Sequence, residues 1–251
     1  MKALVLSGGG LFGAYQAGAW SIVSEWLVPD VIVGVSVGAV NGWMIAAGDS
    51  PGALASRWLH PERPVVFPRQ WPGRRRGLLD TTSMQESVRQ TAGRTPRTPL
   101  ALVATRCRDW QPVVFRSPGL DARHLLASCS IPLLFETVDI DGCHFCDGGM
   151  WGALPLWAAH ELGASDIVGI HCLAGGVPPP MKQALRLLQA CRRLPGPIPG
   201  ARLRLISASR PLDPIRHALA SRWDPARIRR YYDQGVTDAA AAAWRVPQTV
   251  W

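Results

Sequence analysis

With 251 residues, 47% of them hydrophobic, the chain has enough apolar material for one large α/β core and is too apolar for a disordered segment. Lys and Arg outnumber Asp and Glu by 27 to 18, a formal charge of +9, which favours an anionic partner such as a lipid headgroup layer, an acidic ligand or nucleic acid without choosing among them. No run reaches the roughly 18 uninterrupted apolar residues of a membrane span, and the opening MKALVLSGGG is too short for a secretory signal core; a cytoplasmic protein with at most peripheral membrane contact is expected.

In chain order, KALVLS (2–7) predicts a strand, GAYQAGAWSIVSEWL (13–27) a helix, DVIVGVS (30–36) a strand and VGAVNGWMIAAG (37–48) a helix. This alternation is the pattern of βαβ units and a mostly parallel sheet between helices. From about 50 to 80 the texture changes to prolines and arginines with little periodicity, which predicts a surface excursion or cap, not a second domain. Further strands are expected in PLALVATR (99–106), QPVVFRS (111–117), TVDID (137–141), CHFCDG (143–148), SDIVGIHC (165–172) and ARLRLISAS (201–209). Helices are expected at about 81–92, 121–130, 155–162, 181–193 and 225–244, with LPGPIPG (194–200) a rigid loop. One domain spanning 1–251 accounts for all of this.

The first turn, SGGGLFG, contains G-x-G-x-x-G at Gly8, Gly10 and Gly13, so a dinucleotide fold competes. That reading needs an acidic residue near the end of the second strand, where this chain has GVS; Asp30 stands at the beginning. The Gly-Lys-Ser/Thr of a nucleotide phosphate loop is missing as well. Under the other reading, Gly8, Gly9 and Gly10 present backbone N–H groups at a helix start, a donor cluster suited to an oxyanion. The second turn, GVSVG, places Ser36 between Gly34 and Gly38, which suits either a strained nucleophile elbow or an ordinary glycine corner.

A serine nucleophile needs a base. His160, His171 or His217 would fit the Ser, Asp, His order of an ordinary α/β-hydrolase, but none of the six histidines (with His60, His124 and His144) lies in a loop with a reason to face the elbow. Asp147 does have such a context: CHFCDGGMWGALPL ends a short strand and continues through Gly148 and Gly149, where only a side-chain-free backbone passes close to another loop. An Asp-Gly turn is the plain alternative.

Together these stretches resemble the patatin-like phospholipase family: GGGLFGAYQAG its oxyanion loop, GVSVG its nucleophile elbow, DGG its aspartate motif, and ASCSIPLLFETVDIDGCHFCDGGMWGALP its passage from a helix through Ile-Pro to the aspartate. The similarity runs from residue 2 to about 170, with a weaker echo in YYDQGVTDAAAA. It implies a three-layer α/β sandwich with a central, mostly parallel sheet. It also implies a Ser36 and Asp147 dyad without histidine, an oxyanion hole at Gly8, Gly9 and Gly10, and hydrolysis of phospholipid or lysophospholipid acyl esters without metal or cofactor. An ordinary aspartate, with a pKa of about 3.9, is a poor base, so burial must raise Asp147. A catalytically weak lipid-binding or interaction module of the same fold is the second reading. One departure stands out: Phe12 occupies the place where the family usually carries arginine or lysine, so packing of Phe12 is expected to hold the loop's shape.

Cys143, His144 and Cys146 lack the fourth ligand of a structural zinc site, and the six cysteines suit reduced, mostly buried thiols. Arg74, Arg75 and Arg76, beside Trp71, Pro72, Leu78 and Leu79, suit either docking on anionic lipid or a solvated loop. Trp58 and Trp71 are candidates for an acyl entrance. No nucleic-acid-binding motif accompanies the charge.

Overall fold

Along the central strands, alternate side chains divide between two apolar layers. The computed structural model describes residues 1–69, 78–173, 200–219, 222–243 and 248–249. Its strands are β1 (Lys2–Leu6), β2 (Val31–Gly34), β3 (Leu100–Arg106), β4 (Gln111–Arg116), β5 (Val138–Ile140), β6 (Cys143–Asp147), β7 (Asp166–His171), β8 (Arg202–Ser207) and β9 (Gln248–Thr249). The described helices are α1 (Gly13–Val23), α2 (Val37–Ala46), α3 (Pro51–Leu59), α4 (Thr82–Ala92), α5 (Ala122–Cys129), α6 (Leu156–Glu161) and α7 (Pro225–Ala243). Leu4, Leu6, Ile32, Leu100, Leu102, Val168 and Ile170 face the larger layer, with Tyr15, Trp43 and Tyr231 from α1, α2 and α7. Ala3, Val5, Val31, Val33, Ala101, Val103 and Ile167 face the other, against Ala158 and Ala159 of α6. Strands buried on both faces are what a parallel sheet covered by helices requires. The sheet runs β5-β6-β3-β2-β1-β7-β8-β9, with β4 on β3, and its central pairs are parallel.

The predicted strands and the helices at 81–92, 121–130, 155–162 and 225–244 all have counterparts within a few residues. The expected helix at 181–193, most of the loop at 194–200, Cys191, Trp71, Pro72 and Arg74 to Arg76 lie outside the described residues. The stretch after residue 50 is more ordered than its composition suggested. Ser50 caps α3 by accepting the N–H of Ala53 at 3.1 Å, Pro51 occupies the first turn, and Leu54 and Ala55 are buried. Further on, Phe67 stacks on Phe135 with ring centroids 5.3 Å apart.

α1 carries no polar stripe because the sheet, α3 and α7 enclose it. Two glycines set its distance from α7: a methyl at Gly18 would overlap the Tyr232 carbonyl, and one at Gly235 the Tyr15 carbonyl. Gly235→Ala is therefore expected to push the helices apart and cost about 1–3 kcal/mol, seen as a lower urea midpoint with unchanged slope. An unchanged midpoint would show that the two helices have room to yield.

β3 brings the two ends of the site together. One of its edges pairs with β4 from Ala101 to Arg116 through Arg106 to Gln111. Its other edge pairs first with β2, at Leu100 to Leu102, and then with β6, at Ala104 to Arg106. Gly34, opposite Leu102, and Asp147, opposite Ala104, thus arrive two positions apart on the same edge.

Candidate active site

At the end of β2 the chain turns sharply into α2, and Ser36 at the corner has φ 56° and ψ −129°. That left-handed backbone is strained for a residue with a side chain, so the surroundings must enforce it. They do so through close packing: a methyl at Gly34 would overlap the Gly38 carbonyl, and one at Gly38 the carbonyls of Leu6 and Ser7. The Ser36 N–H is donated to both the carbonyl and the Oγ of Ser128, each at 3.1 Å. Ser128 in turn donates its hydroxyl to the Val103 carbonyl at 2.7 Å. This anchor escaped the sequence reading, although Ser128 lies in the ASCSIP stretch that ends α5.

The glycine run leaves β1 beside Ser36. A methyl on Gly8 would stand 3.3 Å from the Ser36 Cβ, and one on Gly10, at φ 53°, would strike the Ala218 carbonyl. The three glycines are not equivalent as donors. Gly8 gives its N–H to the Ala153 carbonyl at 2.8 Å, so it anchors the run and is not a free donor. Among the described residues the N–H groups of Gly9 and Gly10 make no comparable backbone hydrogen bond.

Asp147 ends β6 with its backbone held at both ends: its N–H reaches the Ser130 carbonyl at 2.8 Å, and its carbonyl accepts the Thr105 hydroxyl at 3.0 Å. The carboxylate accepts the Gly149 N–H at 2.7 Å, and the Ser36 hydroxyl is near enough to favour its charged form. Gly148 has no space for a side chain because Val103 passes directly against it. Burial pushes the Asp147 pKa up to about 6, while the Gly149 N–H and the Ser36 hydroxyl pull against that rise. Cys146 and Trp151 are buried nearby in sequence, and the buried Cys129 thiol is close enough to feel the Asp147 charge.

Among the described residues no histidine hydrogen-bonds to Ser36 or Asp147. His124 belongs to the cap of α5 with Asp121, His144 lies near Asp139 on the surface, and burial lowers the pKa of His171 at the end of β7. Cys143 packs beside Phe145 and Val138, as strand alternation requires.

A family model described as patatin-like phospholipase matches residues 4–160, more than half of the sequence and all three glycine-bearing turns. The chain belongs to the patatin-like phospholipase family. A search of curated proteins finds no match. Among solved structures, VipD from Legionella pneumophila is similar with a TM-score of 0.55 at 12% identity, covering 96% of this chain and 66% of VipD. The type III effector protein ExoU aligns with a TM-score of 0.45 at 16% identity, covering 96% of this chain and 52% of ExoU. The chain thus spans a little under two thirds of the VipD chain. The likeness to VipD shows the fold: a mostly parallel central sheet with helices on both sides.

Against this patatin-like background, Phe12 is the departure with structural consequences. Its ring is 2% exposed and meets Tyr231 of α7 edge-on, centroids 5.2 Å apart. The Tyr231 hydroxyl is hydrogen-bonded to Asp213, which also pairs with Arg230 at 2.8 Å and Arg227 at 3.6 Å. An apolar contact holds the loop, with the cations one layer behind it. Among the described residues no helix is long and apolar enough to cross a membrane.

Proposed function

We propose that this protein hydrolyses acyl esters of phospholipids or lysophospholipids, with Ser36 as nucleophile, Asp147 as its base and the N–H groups of Gly9 and Gly10 as oxyanion donors. The observation that carries this reading is a buried carboxylate whose pKa has risen to about 6 and whose charge the neighbouring Ser36 hydroxyl helps to hold, at a corner where Ser36 is forced into a strained backbone. A base near that value is ionised at neutral pH and still accepts a proton as the serine oxygen bonds to carbon.

Ser36 Oγ attacks the ester carbonyl and its proton passes to Asp147, while the carbonyl electrons move onto the oxygen facing the glycine run. Fixed donors stabilise that charge without reorganising. Collapse of the intermediate breaks the ester C–O bond, and the departing alcohol takes the proton from Asp147. Water then attacks the acyl-serine, gives a proton to Asp147, and the fatty acid leaves as Ser36 recovers its hydrogen. The formal +9 charge suits peripheral contact with an anionic lipid surface. A lipid-binding module without catalysis would leave the strained Ser36 backbone and the buried Asp147 without a role.

Two measurements on one preparation test this. A fluorophosphonate is expected to label Ser36, as mapped by mass spectrometry. The kcat/KM for 4-nitrophenyl butyrate, followed by a panel of diacyl and lysophospholipids, is expected to rise with pH through an inflection at about 6, because protonated Asp147 accepts nothing. Labelling at another residue, or a rate that is flat from pH 5 to 7, would overturn the assignment.

A further inference from the structure

Gln16 and Asn41 lie inside the apolar helices α1 and α2, at 1% and 0% exposure. A primary amide in such a place is costly unless its donors and acceptor are all matched, and here the matching runs in one direction. Trp58 Nε1, which can only donate, gives its hydrogen to Asn41 Oδ1 at 3.0 Å. That fixes the amide orientation, so Asn41 Nδ2 donates to the Gly13 carbonyl at 3.0 Å and to Gln16 Oε1 at 2.9 Å. Gln16 Nε2 then faces the other way and donates to the Ser7 carbonyl at 2.6 Å. The Ser7 hydroxyl accepts the Cys172 N–H at 3.0 Å, which ties the same point to the end of β7.

Ser7 is the residue immediately before Gly8, and Asn41 belongs to the helix that Ser36 opens. One continuous polar path therefore joins the nucleophile's helix to the carbonyl from which the glycine run departs. Aliphatic side chains of similar volume would fill this space with no polar group to satisfy, but they would not fix a backbone carbonyl in direction.

We propose that Gln16 and Asn41 are positioning residues that hold the Gly9 and Gly10 donors at a fixed distance and angle from Ser36 Oγ. This rests on the role given above to Ser36 and the glycine run, and extends it to two residues that touch no substrate. Gln16→Met keeps the length and volume of the side chain and removes the bond to Ser7. It is expected to lower kcat for 4-nitrophenyl butyrate by about 10- to 100-fold while KM stays within about twofold, since small displacements of catalytic groups have effects of this size.

The distinguishing readout compares two ligands. A trifluoromethyl ketone, which adds to Ser36 and places its oxyanion on the glycine run, should lose affinity by the same factor as kcat. A non-hydrolysable ether analogue of the ester, which forms no oxyanion, should bind as before. Gln16→Glu keeps the acceptor facing Asn41 and, as the neutral acid, regains a donor for Ser7; its turnover relative to wild type should therefore be higher than that of Gln16→Met and should not rise with pH.

Wild-type kcat in Gln16→Met, or equal losses of ketone and ether binding, would overturn the proposal. Should Gln16→Met fail to fold, Trp58→Phe decides: it deletes the donor to Asn41, keeps an aromatic ring and should show the same ketone-selective loss on a smaller scale, whereas equal affinity for the ketone would overturn the role. The wild-type control separates the two levels. An active, Ser36-labelled protein with unaffected variants removes only the positioning role; a wild type that neither labels nor turns over removes the catalytic reading and this one with it.

Discussion

Asp147→Asn is expected to abolish ester hydrolysis and, at neutral pH, to make the fold more stable. Loss of a base that acts as a unit with its nucleophile typically lowers turnover by about 10⁴-fold or more, and Ser36→Ala should fall to the same floor, not below it. The stability change follows from linkage. Burial raises the Asp147 pKa from 3.8 to about 6, so the folded state binds the proton more tightly than the unfolded state does. Below the lower value both states are protonated and the carboxyl costs nothing extra. Stability then falls as pH rises between the two values, and above the higher one the full penalty of about 3 kcal/mol is present. Asparagine has the same shape and no charge to bury, with Oδ1 for the Gly149 N–H and Nδ2 for Ser36 Oγ. Urea denaturation of the two proteins should nearly coincide at pH 4 and separate at pH 8 in favour of the variant. Equal stability at both pH values would show that the carboxylate is better solvated than its burial indicates, and measurable turnover by the variant would remove Asp147 as the base.

The parts of this site that were legible in the sequence are those set by local backbone sterics. Gly34, Gly38 and Gly148 stand where neighbouring carbonyls leave no room for a Cβ, and a requirement of that kind writes itself into a few consecutive residues. Helix ends were legible for the same reason: Asp121 caps α5 with its own side chain, so the predicted start fell within a residue of the observed one. The division of one β3 edge between β2 and β6 was not legible. It depends on register between segments roughly 40 to 70 residues apart, and no local pattern encodes register. The individual roles within the glycine run were equally hidden, because the acceptor that occupies the Gly8 N–H belongs to Ala153. α3 was passed over because proline and arginine dominated the composition of its neighbourhood, although Ser50 and Pro51 carry a helix-start signal. Gln16 and Asn41 did offer a sign, being polar residues at wholly buried helical positions, but which group each amide faces depends on Trp58 and Ser7 from other elements.

Phe12→Ala is expected to cost about 3–5 kcal/mol, the usual range for deleting a fully buried aromatic ring, and to lower turnover as well. The two effects have one cause. Phe12 closes the turn that begins at Gly10, and its edge-on contact with Tyr231 is what presses that turn against α7. Without the ring, Gly9 and Gly10 lose their backing, and donors that must be fixed in advance become mobile. Phe12→Arg should not restore what the family's usual cation supplies. The guanidinium would enter an apolar site, and the carboxylate behind Tyr231, Asp213, is already bonded to that tyrosine and paired with Arg230 and Arg227. An uncompensated buried charge is destabilising, so the thermal midpoint should fall and turnover should not rise. The replacement of cation by ring is thus a change in how the loop is held, with the backbone donors unaltered. A large gain in turnover for Phe12→Arg at an unchanged midpoint would reverse that conclusion: the cation would then act on the substrate or the oxyanion directly, and the natural Phe12 would mark an enzyme working below the capacity of its own site.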